Sequence, residues 1–309
     1  QWEALQFGMF IHFGMSTYDG EELSAGTLPA SSYAPEKLDV RSWIRTAADA
    51  GMKYAVLTSK HVSGFCLWPA SHTDYHVGNS GNTTDVVAEF VHACEEFGLE
   101  AGLYYCSWDN HHTFGSITPS SVDESGSPFV TREYMDFQTA QLMELCERYP
   151  IVREWWIDIP AVLPRFYRNE LYAMLAERTP EAIIVMNNGW SHGGWAKPNK
   201  LDVAKTWPTD VMTIERELPS TWTGHVSDRT IEGKRYYVPG EVCDTITSEW
   251  FHVPGHPPRN DRELLGMYFA TIGRGANFLL DLGPGKDGLL VPEDVSALMR
   301  LAENVAKVG

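Results

Sequence analysis

Basic charge is scarce in this chain. Its 24 Lys and Arg face 41 Asp and Glu, which leaves a formal net charge of −17 at pH 7. Such an excess of acid repels nucleic-acid phosphates and anionic lipid headgroups, so neither is an expected partner. A highly sulfated substrate would need a locally basic cleft. No apolar run approaches the ~20 residues that span a bilayer. Gln1 to Leu5 hold no basic stretch followed by a long apolar one, so no signal peptide is expected, although the missing initial Met suggests that residues have been removed. The compartment stays open between cytoplasm and secretion after processing. Cysteine is also sparse, with 5 residues (Cys66, Cys94, Cys106, Cys146, Cys243) and no C-x-x-C pair. Three of them lie in apolar strand or helix patterns, which favours buried reduced thiols over a disulfide framework. No G-x-G-x-x-G follows a first strand, against a dinucleotide site, and no G-x-S-x-G elbow supports an esterase. His111-His112 lack a third ligand at a suitable spacing and are read as loop residues rather than a metal pair. The single sequon, Asn82-Thr83-Thr84, is weak evidence for glycosylation.

What is present is alternation. The stretch 152–158, Val-Arg-Glu-Trp-Trp-Ile-Asp, reads as a buried strand that ends in a carboxylate and is stopped by Pro160. Further strands are expected at 7–13, 53–59, 100–106, 182–187, 235–241 and 277–282, with a short one near 201–205. Helices are expected at 42–50, 84–97, 132–149, 163–176, 261–272 and 292–308. Strands alternating with helices imply a parallel sheet. About eight of them over 309 residues, with no linker or repeat, favour one (β/α)₈ TIM barrel over an open doubly wound sheet.

In such a barrel the polar residues at strand C-terminal ends converge. Here they are His12, Lys60, His61, Tyr104, Tyr105, Trp108, Trp156, Asp158, Asn187, Asn188, Trp190 and Glu241. Aromatic faces stack on the C–H faces of sugars, His and Asn bind hydroxyls, and two carboxylates can cleave a glycosidic bond. The blander readings are a capping Asp158, a satisfied core His12 and a surface His61.

Seven blocks resemble the α-L-fucosidases of glycoside hydrolase family 29. They are FGMFIHFG (7–14), KYAVLTSKHVSGFCLW (53–68), GLYY (102–105), WWID (155–158), VMNNGW (185–190), GEVCDTI (240–246) and GANFLLDLGPGKDG (275–288). They follow the family order across nearly the whole chain. The resemblance implies a retaining exo-glycosidase on a (β/α)₈-like barrel, acting on a fucosylated or related oligosaccharide with no metal or organic cofactor. Asp158 matches the nucleophile of the W-F-D-G block, and Glu241 matches the acid/base of W-E-x-C-x-(T/S)-I. His12, His61, Tyr104 and Trp156 match sugar-binding positions, and Glu22 matches an acidic residue of the first long loop. Glu215 is the competing acid/base, in a charged stretch (213–217) that also suits a solvated loop. The chain departs from the pattern at Val62, Ser63, Ile159 and Leu23, which leaves the sugar open within the L-galacto series. A sugar-binding pseudoenzyme is the alternative, and an isomerase would need a metal or phosphate site. The family often adds a C-terminal β-sandwich. The expectation here is a single catalytic domain over 1–309 without it.

Overall fold

The computed structural model describes residues 1–112, 130–189, 201–219 and 226–308. Within them the expected alternation forms one curled parallel sheet of eight strands. These are β1 (Phe7–Ile11), β2 (Tyr54–Lys60), β3 (Glu100–Cys106), β4 (Glu154–Asp158), β5 (Ile183–Met186), β6 (Met212–Glu215), β9 (Gly240–Thr245) and β10 (Ala276–Asp281). Their order is β5-β4-β3-β2-β1-β10-β9-β6. A two-stranded antiparallel hairpin, β7 (Asp228–Ile231) with β8 (Lys234–Tyr237), lies outside the sheet. The helices are α1 (Met15–Asp19), α2 (Val40–Asp49), α3 (Val86–Phe97), α4 (Arg132–Arg148), α5 (Arg165–Arg178), α6 (Val203–Thr206), α7 (Asp261–Ile272) and α8 (Pro292–Val308).

Local chemistry explains the helix starts. Asp39, Asp85, Thr131 and Asn260 each accept a backbone N–H from the first turn of α2, α3, α4 and α7. Gly98 ends α3 in the left-handed conformation. The strands are buried on both faces, as a sheet lined inside by side chains and outside by helices requires.

Among the described residues no ladder joins β5 to β6, and side chains together with one backbone bond bridge that seam instead. Asp210 accepts from Ile184 N–H (2.8 Å) while its own N–H reaches Ile184 O (2.8 Å). Thr209 accepts from Met186 N–H (3.0 Å), and Thr213 from Asn188 N–H (2.7 Å). The nearly closed barrel therefore brings the ends of β5 and β6 side by side.

Three sequence expectations need correction. Residues 203–206 are helical, capped by Asp202, rather than a strand. The expected strand 235–241 is divided, because its first half pairs in the hairpin and Gly240 opens β9. Residues 213–215, read as part of a charged stretch, belong to the barrel strand β6. All five cysteines are buried and free, as expected of reduced thiols.

Candidate active site

Asp158 is the last residue of β4, at the C-terminal rim of the barrel. Three donors converge on its carboxylate. Tyr104 O–H reaches Oδ2 at 2.6 Å, Asn187 Nδ2 reaches Oδ1 at 2.7 Å, and Ile159 N–H reaches Oδ1 at 2.8 Å. An acceptor-only carboxylate suits such a cradle. The last bond depends on an unusual backbone, since Ile159 sits at φ 47°, ψ 47°. A β-branched residue in that region costs about 1–3 kcal/mol, a cost tolerated mainly where function fixes the geometry.

Glu215 is the last residue of β6. Asn187 Nδ2 donates to Glu215 Oε2 at 3.3 Å as well as to Asp158. The two carboxyl oxygens can be no further apart than the sum of those bonds, about 6 Å, which accommodates the ~5–5.5 Å spacing of a retaining pair. Burial, reinforced by the Asp158 charge, raises the Glu215 pKa from 4.5 to about 8.

The carboxyls stand where two cavities meet. The inner one, about 40 Å³, is lined by Phe10, His12, Tyr104, Trp156 and Trp250. The outer one, about 230 Å³, is lined by Leu23, Val62, Ile159, Asn188 and Thr206 among others. Glu22, His61, Asp158, Asn187 and Glu215 line both.

Of the expected sugar-site residues, His12, His61, Tyr104, Trp156 and Glu22 are all brought to this place. Tyr104 stacks on Trp156 (5.5 Å, 19° between planes) and on His61 (5.5 Å, 19°). Trp156 and Asp158 share an inward face because they are two residues apart on one strand. His12 is neither surface nor simple core, because its Nδ1 lies 2.7 Å from Asp281 Oδ1 while its ring lines the inner cavity. Burial lowers its pKa to about 3. Glu22 opens onto the cleft, whose walls raise its pKa while Arg216 opposes the rise.

Other expected members are used elsewhere. Tyr105 bonds Gln141, Trp108 bonds Asn110, and buried Lys60 pairs with Asp109 at 2.8 Å. His111 stacks on Tyr75, and His112 faces Asp109. Trp190 lies outside the described residues.

Glu241 is corrected in position. It is the second residue of β9, not a strand C-terminal end, and it is 0% exposed. Its register sets it level with Thr213, two residues below Glu215, and with Asn277, four residues below Asp281. Its carboxylate accepts from Tyr54 O–H (2.8 Å) and Trp156 Nε1–H (3.0 Å). Gly8 makes this possible, because a Cβ there would come within 2.5 Å of the Tyr54 ring. Glu241 thus lies beneath the site and supports Trp156 from below.

Sequence reasoning missed Trp250, Arg216 and Asp281. Trp250 tilts against His12 (5.0 Å), and the Arg216 guanidinium lies over Trp250 at 5.1 Å, held by Ser248 O at 2.9 Å. Asp281 carried a usable signal, since it is an acid at the end of a buried strand, as Asp158 is.

"Alpha-L-fucosidase 1" of Arabidopsis thaliana is 28% identical over 98% of this chain and 58% of its own length. The chain thus spans a little over half of that relative, and likewise 57% of a rice relative. The solved "Alpha-L-fucosidase isoenzyme 1" from Paenibacillus thiaminolyticus superposes with a TM-score of 0.80 at 24% identity, over 99% of this chain and 74% of that one. A family 29 α-L-fucosidase from Bacteroides thetaiotaomicron, solved as a covalent intermediate trapped with 2-fluoro-fucosyl fluoride, superposes with a TM-score of 0.75 at 21% identity, covering 99% and 73%. Residues 29–309 match the α-L-fucosidase family as a whole, so the chain belongs to that family, glycoside hydrolase family 29.

Proposed function

We propose that this chain carries the catalytic barrel of a retaining exo-α-L-fucosidase, with Asp158 as nucleophile and Glu215, rather than Glu241, as acid/base. The observation that carries the reading is the single amide of Asn187 joining the two carboxyls at the junction of the two cavities. The names of its relatives and the covalent intermediate trapped in the Bacteroides structure support the same chemistry.

The terminal sugar enters the inner cavity, with its C–H faces toward Trp156 and Tyr104. His12, His61 and Glu22 take its hydroxyls, and Asp281 holds the His12 ring in place. Asp158 attacks the anomeric carbon as the bond to the leaving oxygen breaks, and the Glu215 proton goes to that oxygen. Water then gives its proton to the Glu215 carboxylate and attacks the same carbon. The ester to Asp158 breaks, free sugar leaves, and both carboxyls return to their starting states.

A carrier without turnover has no specific observation in its favour. The test is hydrolysis of 4-nitrophenyl α-L-fucoside, α-L-galactoside and β-D-galactoside in parallel. Turnover should be strongest on the fucoside. Asp158→Ala should lose several orders of magnitude while keeping the fold, and azide should restore part of the rate. A near-normal rate in Asp158→Ala would sink the assignment.

A further inference from the structure

We infer that the outer cavity is an apolar leaving-group subsite, shaped for an aryl or alkyl aglycone rather than for a polar oligosaccharide branch. This rests on the glycosidase reading above. The shared carboxyls lie between the two cavities, so a sugar bound in the inner one puts its leaving group in the outer one.

Among the described residues, the apolar part of that cavity's wall is made of Leu23, Val62, Ile159, Pro160 and Ala161. Leu23 is 57% exposed, and an isolated exposed Leu means little. Here, however, it lines the same cavity as Val62 and as Ile159, the residue following Asp158. Three of the polar residues in the cavity wall are tied into the fold through Asp202. Asn188 Oδ1 accepts from Asp202 N–H (2.8 Å), Thr206 O–H donates to Asp202 O (2.8 Å), and Lys205 pairs with the Asp202 carboxylate at 3.9 Å. Among the described residues these bonds take up part of the hydrogen-bonding capacity of that side, whereas an apolar body would remove exposed hydrocarbon from water. Ile159 serves twice. Its backbone N–H holds Asp158, and its side chain lines the cavity, in a conformation that glycine would adopt without strain.

The experiment is calorimetric binding to Asp158→Asn, which cannot turn substrate over. The probes are methyl α-L-fucoside, octyl α-L-fucoside and octyl β-D-glucoside. The octyl fucoside should bind about tenfold more tightly than the methyl one, as several buried methylenes require. Leu23→Asn, an exposed change that leaves the core alone, should reduce that preference to about twofold or less. Equal affinity of the two fucosides, or a preference unchanged by Leu23→Asn, overturns the subsite and leaves the fucosidase reading standing. If octyl β-D-glucoside matches octyl fucoside and loses affinity in Leu23→Asn, the subsite stands and the fucose reading fails. If none of the three binds, both fail.

Discussion

Two pairs of carboxyl groups occupy the same barrel at different depths, and each draws one member from β4. At the mouth are Asp158 and Glu215, each the last residue of its strand. At the floor are Glu154, the first residue of β4, and Glu241, the second of β9. Burial raises the pKa of one member of each pair to a similar value, about 8 for Glu215 and about 7 for Glu241. A perturbed carboxyl therefore does not mark a catalytic site by itself. What separates the pairs is access. Glu215 lines both cavities, whereas Glu154 and Glu241 are 2% and 0% exposed and face Trp2, Tyr54 and Trp156. Burial raises the Glu154 pKa well above the usual carboxyl range, and the neighbouring Glu241 charge adds to the rise. Glu241 accepts from two donors and becomes the carboxylate of the pair as pH rises through about 7. The floor pair supports the Trp156 platform, and the mouth pair is the one to which the proposed function gives the chemistry.

The largest expected effect falls on the mouth. Glu215→Gln should lower kcat/KM by about 10²–10⁴-fold on alkyl or glycan fucosides and far less on activated aryl fucosides, because only poor leaving groups need the proton. The acid must be protonated to act. Its raised pKa keeps it so below about pH 8 and loses it above, so the wild-type rate should fall on an alkaline limb near pH 8. Glu215→Gln should abolish that limb, and Glu241→Gln should preserve it. The reverse pattern would break the comparison and return the acid role to Glu241.

A smaller effect is expected from the floor, and it should appear in stability. Glu241→Ala strands the Tyr54 hydroxyl and the Trp156 N–H, each worth about 1–3 kcal/mol when buried without a partner. Chemical denaturation should register a loss of that order, together with a weaker KM as Trp156 loosens. Glu241→Gln sharpens the point through pH. The folded pKa is raised from 4.5 to about 7, so the folded state holds this proton more tightly than the unfolded one. The associated stability is fully present below pH 4.5 and is lost as pH rises through 7. Wild type should therefore lose more Tm across that window than Glu241→Gln, and parallel Tm curves would contradict the pairing. The smallest effect is Trp2→Phe, which removes the donor at 3.0 Å from Glu154 Oε2. It should cost about 1 kcal/mol of stability without moving kcat/KM.

Much of the barrel was readable because its elements have strong periods. The strand 100–106 and the helices 261–272 and 292–308 coincide with their expected bounds. β6 escaped notice because four residues are too few for a period-two pattern, and Arg216-Glu217 after it look like a solvated run. Glu241 was misplaced because residues 235–241 read as one strand. In fact 234–237 pair in a hairpin and the barrel strand starts at Gly240.

Local pattern is enough for the repeating strand–helix order, the buried thiols and the position of Asp158 at the end of an aromatic strand. Each of these follows from local hydrophobic period and from the cost of burying a charge without a use. Which second carboxyl stands beside Asp158 is a matter of three-dimensional packing. That choice depends on how far β6 and β9 are shifted along the barrel axis and on the β5–β6 seam that brings Asn187 to Glu215. Register between strands is set by packing around the whole ring, so no stretch of sequence carries it alone.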